Sequence, residues 1–399
     1  MDLSHRKVSK NIQFKDAAGN ILANTEIKIK QTNHEFLFGC GAFDFMPYVM
    51  KGEENFKQIT ESWLEIFNYA TLPFYWGNFE REEGKPDTEV LMKTAQYLNS
   101  KNVKVKGHPL CWHTVCADWL MKYDNATILQ KQLERIDREV GGFKGVIDMW
   151  DVINEVVIMP IFDKYDNAIT RICKEKGRVG LIKEVFDRAY SNNPDAVLLL
   201  NDFNTSINYE ILIDGCLNAG VPISAIGIQS HQHQGYWGNE KVYEVLERFS
   251  QFGLPIHFTE NTLISGDIMP AHIVDLNDWQ VDEWPSTPEG EARQAKEIEE
   301  MYRILFENPL VQAITTWDFK DGAWLKAPSG YLRLDNSKKP SFEMLKDLVK
   351  NEWWTDTSVK TDEMGFAKVE AFKGEYEVTA GERSVKANLT DSKNMLIEF

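Results

Sequence analysis

What is scarce in this 399-residue chain narrows its chemistry first. Five cysteines (Cys40, Cys111, Cys116, Cys173 and Cys216) form no CxxC pair and no zinc-like spacing. They read as buried thiols, not as a disulfide framework or a metal knuckle. No apolar run approaches the roughly 18 to 20 residues that span a bilayer. Basic residues are outnumbered, 44 Lys and Arg against 61 Asp and Glu, which leaves a net charge of −17. A surface of that sign repels polyanions, so neither nucleic acid nor an anionic membrane is an expected partner. No fixed-period repeat, no low-complexity tract and no Gly-rich phosphate or dinucleotide loop follows any early strand.

What is present is a well-stocked core. Hydrophobic residues make up 43% of the chain and charged residues 26%, the balance of a globular protein. Between about residues 36 and 350, short apolar runs alternate with longer amphipathic ones. The runs predict strands over Phe36–Gly41, Ile66–Leu72, Val103–His108, Ile147–Asn154, Val197–Asp202, Ala225–Ser230, Ile256–Glu260 and Gln312–Trp317. Most are β-branched or aromatic and lack a polar face, as strands covered on both sides do. Thr127–Val140, Lys241–Phe252 and Glu291–Phe306 repeat apolar residues at helical spacing. Eight strands alternating with helices predict an α/β fold, a (β/α)₈ TIM barrel. A doubly wound open sheet is the alternative.

The two ends have another style. Asp16-Ala-Ala-Gly19 and Asp362-Glu-Met-Gly365 are turn signals beside alternating apolar residues. Each end supplies too few strands for a sheet of its own. The division expected is therefore residues 1–35 and 356–399 as two halves of one small, discontinuous β-sandwich, with the barrel at 36–355 between them. Phe366, Phe372 and Tyr376 are expected in its core.

In a barrel of this kind functional residues lie at the C-terminal strand ends. Polar residues collect there: His108, then Trp112 and His113; Asn154 and Glu155; Asn201, Asp202 and Asn204; Gln229 and His231; Glu260; and Trp317. Two carboxylates at the ends of buried strands, Glu155 and Glu260, suit cleavage of a glycosidic bond. The chain's 12 Trp supply flat faces on which sugars stack.

Gly107-His-Pro-Leu-Cys-Trp-His113, Trp150-Asp-Val-Ile-Asn-Glu155, Gly227-Ile-Gln-Ser-His231, Thr259-Glu260 and Trp317…Asp321…Trp324 stand in an order and spacing that resembles glycoside hydrolase family 10, mostly endo-β-1,4-xylanases. The resemblance implies a retaining enzyme without metal or organic cofactor, acting on a xylan-type polysaccharide or oligosaccharide; a monomer is expected. It implies Glu155 as general acid/base and Glu260 as nucleophile, about 5 to 5.5 Å apart. Asn154 would bond the sugar 2-hydroxyl, and His231 would orient the nucleophile beside Gln229. His108 and Trp112 would line the reacting-sugar subsite, and Trp317 and Trp324 would form the aromatic wall. A secreted enzyme is expected if xylan itself is cut. The N-terminus, Met-Asp-Leu-Ser-His-Arg-Lys, shows no apolar signal core, and an intracellular enzyme acting on imported oligosaccharides fits as well.

The chain departs from the family pattern in three places. Asn68-Tyr-Ala-Thr-Leu-Pro-Phe-Tyr-Trp76 replaces a Glu-Asn-x-x-Lys-Trp stretch, so Asn68, Tyr75 and Trp76 are candidates for the glycone side. Thr262 stands where an Asp partner of His231 is usual, and the Trp317–Trp324 spacing is one residue short. The long acidic loop Leu263–Pro288, with Trp279 and Trp284, is either a cleft wall or surface decoration. His231-Gln-His233 raises a metal-dependent hydrolase as one alternative. A non-catalytic carbohydrate-binding barrel, or a glycosidase for another β-1,4-glycan, is the other.

Overall fold

The computed structural model describes residues 1–52, 54–390 and 395–399. In chain order the strands are β1 (Lys7–Lys15), β2 (Glu26–His34), β3 (Leu37–Gly41), β4 (Tyr69–Pro73), β5 (Lys104–His108), β6 (Met149–Asn154), β7 (Val197–Asp202), β8 (Ala225–Gln232), β9 (Ile256–Leu263), β10 (Val311–Thr316), β11 (Asp356–Lys360), β12 (Phe366–Phe372), β13 (Gly374–Ala380), β14 (Arg383–Leu389) and β15 (Leu396–Glu398). Strands β3 to β10 close into a parallel barrel, β10 pairing with both β3 and β9. Helices cover its outside, among them Asn125–Gly142, Asn239–Ser250 and Pro288–Glu307. Asp124 and Thr287 start the first and last of these by accepting the N–H groups of Thr127 and Gly290. The result is the expected (β/α)₈ architecture, with every barrel strand sealed between helices and the barrel interior.

The terminal segments interleave. β1 is the middle strand of a three-stranded sheet, flanked by β12 and β15, and β2 lies inside a four-stranded sheet between β11 and β13. Each N-terminal strand thus has C-terminal strands on both sides. Alternate residues of both sheets (Val8, Ile12, Phe14, Ile27, Ile29, Val369, Tyr376 and Val378) bury a shared core. The two Asp turns are built alike. Asp16 Oδ1 accepts the N–H groups of Ala18 and Asn20, and Asp362 Oδ1 those of Met364 and Phe366.

Of the three aromatics expected in the sandwich core, Tyr376 is there, Phe366 is half-buried, and Phe372 turns into the barrel's core instead. Phe372 belongs to an aromatic seam with Phe36, Phe38, Phe306 and Trp353. Trp353 stacks on Phe306 at 4.0 Å between ring centroids and on Phe38 at 5.9 Å. Its side chain is fully buried. Trp353→Ala is expected to cost about 3–5 kcal/mol, read as a lower denaturant midpoint with the m-value unchanged.

Candidate active site

Glu155 follows β6, and its backbone is left-handed, with φ of +58°. That conformation costs a non-glycine residue on the order of 1–2 kcal/mol. It is held by the Glu155 N–H donating to the Asn201 carbonyl at 2.9 Å. Asp202 fixes the segment after Glu155 by accepting the Val157 N–H at 3.0 Å, and is itself held by the Asn204 N–H at 2.9 Å. The carboxylate of Glu155 accepts from Trp112 Nε1 (2.9 Å), Gln229 Nε2 (3.1 Å) and Asn154 Nδ2 (3.3 Å). Burial, then the charge of Glu260, pushes Glu155 up to about 8 despite the bonds from Gln229 and Trp112.

Glu260 meets the opposite balance. Burial alone would raise it, but the facing imidazoles of His108 and His231, together with Lys106, outweigh burial and hold it below the usual carboxylate range. His231 Nε2 lies 3.1 Å from Oε2, and Asn201 Nδ2 donates to Oε1 at 2.8 Å. Asn201 also donates to Asn154 Oδ1 at 2.8 Å, and Gln229 Nε2 reaches the same oxygen at 3.0 Å. An amide network therefore runs from one carboxylate to the other. Gly227 makes room for it, because a Cβ there would stand 2.4 Å from Asn201 Oδ1.

A second line of charge runs beneath Glu260, inside the barrel. His108 Nε2 is 3.9 Å from Glu260 Oε1, and its Nδ1 is 2.7 Å from Asp151 Oδ2. Lys106 Nζ lies 2.6 Å from the same oxygen, with both side chains fully buried. Lys106→Met would leave a buried carboxylate short of its cation. The expected cost is about 3–5 kcal/mol of stability, which chemical denaturation measures, and Glu260 would lose one of the charges that hold it ionised.

The rings close the mouth. Trp317 is buried and sets its edge against His108 (5.3 Å between centroids) and His231 (6.0 Å). Trp324 lies over His231 at 4.8 Å, and Tyr75 sits 5.6 Å from His108 and 5.7 Å from Trp112. His108, Trp112, Asn154, Glu155, Gln229, His231, Glu260, Trp317 and Trp324 thus share one site.

Trp76 does not join them, a correction to the sequence reading. It is buried in a short helical turn, donates to Glu80 Oε2 at 3.0 Å, and packs under the Arg135 guanidinium at 5.0 Å and against Trp119. The turn that begins there points Tyr75, not Trp76, toward the mouth. Asn68 is also displaced, to the opposite end of the barrel. It precedes β4, accepts the Phe38 N–H, and donates to the carbonyls of His34 and Phe36.

The long loop after β9 has its own small core, in which Ile264, Met269 and Trp284 pack with Ala327, and Trp279 lies against it. Lys164 ties it to the loop after β6 through Asp275 (2.5 Å) and Asp278 (2.8 Å). Among the described residues no group of three or more His, Cys, Asp or Glu is arranged to hold a metal ion. His231 and His233 meet at the hydroxyl of Thr262 instead.

Asn201, Asp151 and Lys106 had no assigned role in the sequence reading, whereas Tyr75, a candidate for the glycone side, does reach the mouth. The signal for Lys106 and Asp151 was available: both are charged residues inside otherwise apolar strands, which bury charge only in pairs.

Two carboxylates at the mouth of an eightfold barrel, one pushed toward its acid form and the other toward its anion, are the arrangement of glycoside-cleaving barrels. The chain belongs to glycosyl hydrolase family 10, whose family model matches residues 53–348. It is 24% identical over 393 residues to the anti-sigma-I factor RsgI6 of Acetivibrio thermocellus, a match that covers 93% of this chain and 44% of that protein. It is 26% identical over 261 residues to endo-1,4-beta-xylanase A of Caldicellulosiruptor saccharolyticus, covering 61% of this chain and 72% of that one. Among solved structures, a family 10 protein from Paenibacillus barcinonensis superposes with a TM-score of 0.65 at 23% identity, over 79% of this chain and 95% of the other. That likeness is one of fold. The chain spans under half the length of the first curated relatives it matches.

Proposed function

We propose that the chain is an endo-β-1,4-xylanase that cleaves internal xylosidic bonds with retention of configuration. The observation that carries the mechanism is the opposed tuning of Glu155, pushed up to about 8, and Glu260, held low, across a shared amide network. Xylan as substrate rests on family membership and on relatives named as xylanases.

Glu260, ionised, attacks the anomeric carbon while Glu155 donates its proton to the departing glycosidic oxygen. Esterification of Glu260 removes its negative charge, and Glu155 then falls toward ordinary carboxylate strength. It next serves as the base that takes a proton from water. Water attacks the anomeric carbon from the side the leaving group vacated and frees Glu260. Asn154, held by Asn201 and Gln229, is placed to bond the sugar 2-hydroxyl, and Trp317, Trp324 and Trp112 offer faces for the ring. A polymer that cannot cross a membrane implies that the enzyme meets its substrate outside the cell.

Proton NMR of freshly cleaved xylan and xylo-oligosaccharides tests both halves of this reading. The β-anomer should appear first and equilibrate later. An initial α-anomer would exclude double displacement, and cleavage of β-glucan in preference to xylan would replace the substrate.

A further inference from the structure

Thr262 occupies the position at which the family pattern carries an aspartate beside His231. It lies on β9, paired with His231 on β8. It is buried, and its hydroxyl has three neighbours. Gln232 N–H donates to it at 3.2 Å, His231 Nδ1 lies at 3.4 Å, and His233 Nδ1 lies at 3.2 Å.

A threonine hydroxyl has one proton and two lone pairs. The Gln232 N–H takes one lone pair, which leaves one proton and one lone pair for two imidazoles. The rings must then differ at Nδ1: one gives a proton to Thr262 and the other receives the Thr262 proton. Glu260, as an anion, can only accept, so a neutral His231 must place its N–H on Nε2, 3.1 Å from Oε2. His231 Nδ1 is then the acceptor, and His233 Nδ1–H is the donor. The other nitrogen of His233 agrees. His233 is fully buried and its Nε2 has no partner, which suits a bare lone pair better than a stranded N–H. Burial also pushes His233 down to about 3, so the ring stays neutral. Trp324 covers both imidazoles, at 4.8 Å from His231 and 5.0 Å from His233, and Trp284 lies 6.1 Å from His233.

We propose that Thr262 and His233 form a hydroxyl–imidazole relay that fixes His231 as the Nε2–H tautomer facing Glu260, in place of an aspartate. Both are positioning residues, and their effect on turnover rests on the function proposed above. The relay differs from a carboxylate in what it gives the nucleophile. An aspartate at this point would set a further anion against His231, whereas a hydroxyl backed by a neutral imidazole orients the ring and adds no negative charge to the site.

Long-range ¹H–¹⁵N NMR of the histidine side chains in the free, full-length protein at neutral pH reads the tautomers without any activity. The relay requires His231 protonated at Nε2 and bare at Nδ1, and His233 protonated at Nδ1 and bare at Nε2. Any other assignment for either ring overturns it. In turnover, Thr262→Val, nearly isosteric and unable to bridge, should lower kcat by about 10-fold or more with KM within about twofold, while Thr262→Ser restores the parent value. Parent-like kcat in Thr262→Val, or failure of the serine variant to restore it, also overturns the relay. A parent protein that leaves xylan intact defeats the proposed function alone, because the tautomers still decide the relay.

Discussion

Glu260→Gln should abolish hydrolysis of xylan, with kcat falling on the order of 10⁶-fold, the scale on which hydrolases lose rate when the nucleophile is removed. The substitution keeps the shape and removes the attacking anion. It also changes the partner. Glu155 is raised first by burial and then by the charge on Glu260. In the glutamine variant the second cause disappears and the first remains, so Glu155 should titrate lower than in the parent but still above an ordinary glutamate. Carbon-13 NMR of the glutamate side chains reads that movement directly. Glu260→Ala gives a complementary test, since the space can admit azide as an external nucleophile. Azide would then attack once, from the face Glu260 had occupied, and the product should be the α-glycosyl azide. A β-azide, or parent-level hydrolysis in either variant, would show that Glu260 is not the nucleophile.

The barrel was legible because its strands are apolar on both faces and its helices carry one apolar stripe. Those patterns depend on local burial, which neighbouring residues share. Val197–Asp202 is a strand with the predicted ends, whereas the second barrel strand starts at Tyr69 and not at Ile66. The reason is tertiary. Ile66 and Phe67 are buried in the core, so they look strand-like, while Asn68 ties the chain to the carbonyls of His34 and Phe36, just before β3. The terminal sheets show the same limit. Alternation marks the strands, but only long-range pairing makes β1 the centre of one sheet and places β2 inside the other.

At the site, residue type and strand position were enough to find Glu155, Glu260, His108 and His231. They were not enough to choose between adjacent aromatics. Tyr75 and Trp76 have similar bulk and apolar character, and a single helical turn decides which of them reaches the mouth. Nor could the sequence show that Asn201 spans both halves of the site. Its two N–H groups go to Glu260 and Asn154, which lie 59 and 47 residues away in the chain.

Glu155→Ala should separate the two chemical steps. With xylan, whose leaving oxygen needs a proton, kcat should drop by roughly 10²–10⁴-fold, the usual contribution of general acid–base catalysis. An aryl xylobioside with an acidic phenol needs no such help, so formation of the glycosyl-enzyme should stay fast. Breakdown should be slow because no base activates water. The expected signature is a burst of phenol equal to the enzyme concentration, followed by a slow steady state. Added azide needs no base and should restore turnover, giving the β-glycosyl azide. The pH profile carries the sign. Glu155 must be protonated in the free enzyme, so parent kcat/KM should fall as pH rises through about 8. Glu260 must be ionised, so it should fall again on the acid side, below the ordinary glutamate value, because Glu260 is held low. In Glu155→Ala, assayed on the aryl substrate, the alkaline limb should vanish. The acid limb should stay where it is, since Glu155 is already protonated and uncharged at the pH at which Glu260 titrates. An alkaline limb that survives unchanged would belong to some other group and would remove Glu155 from the role of acid.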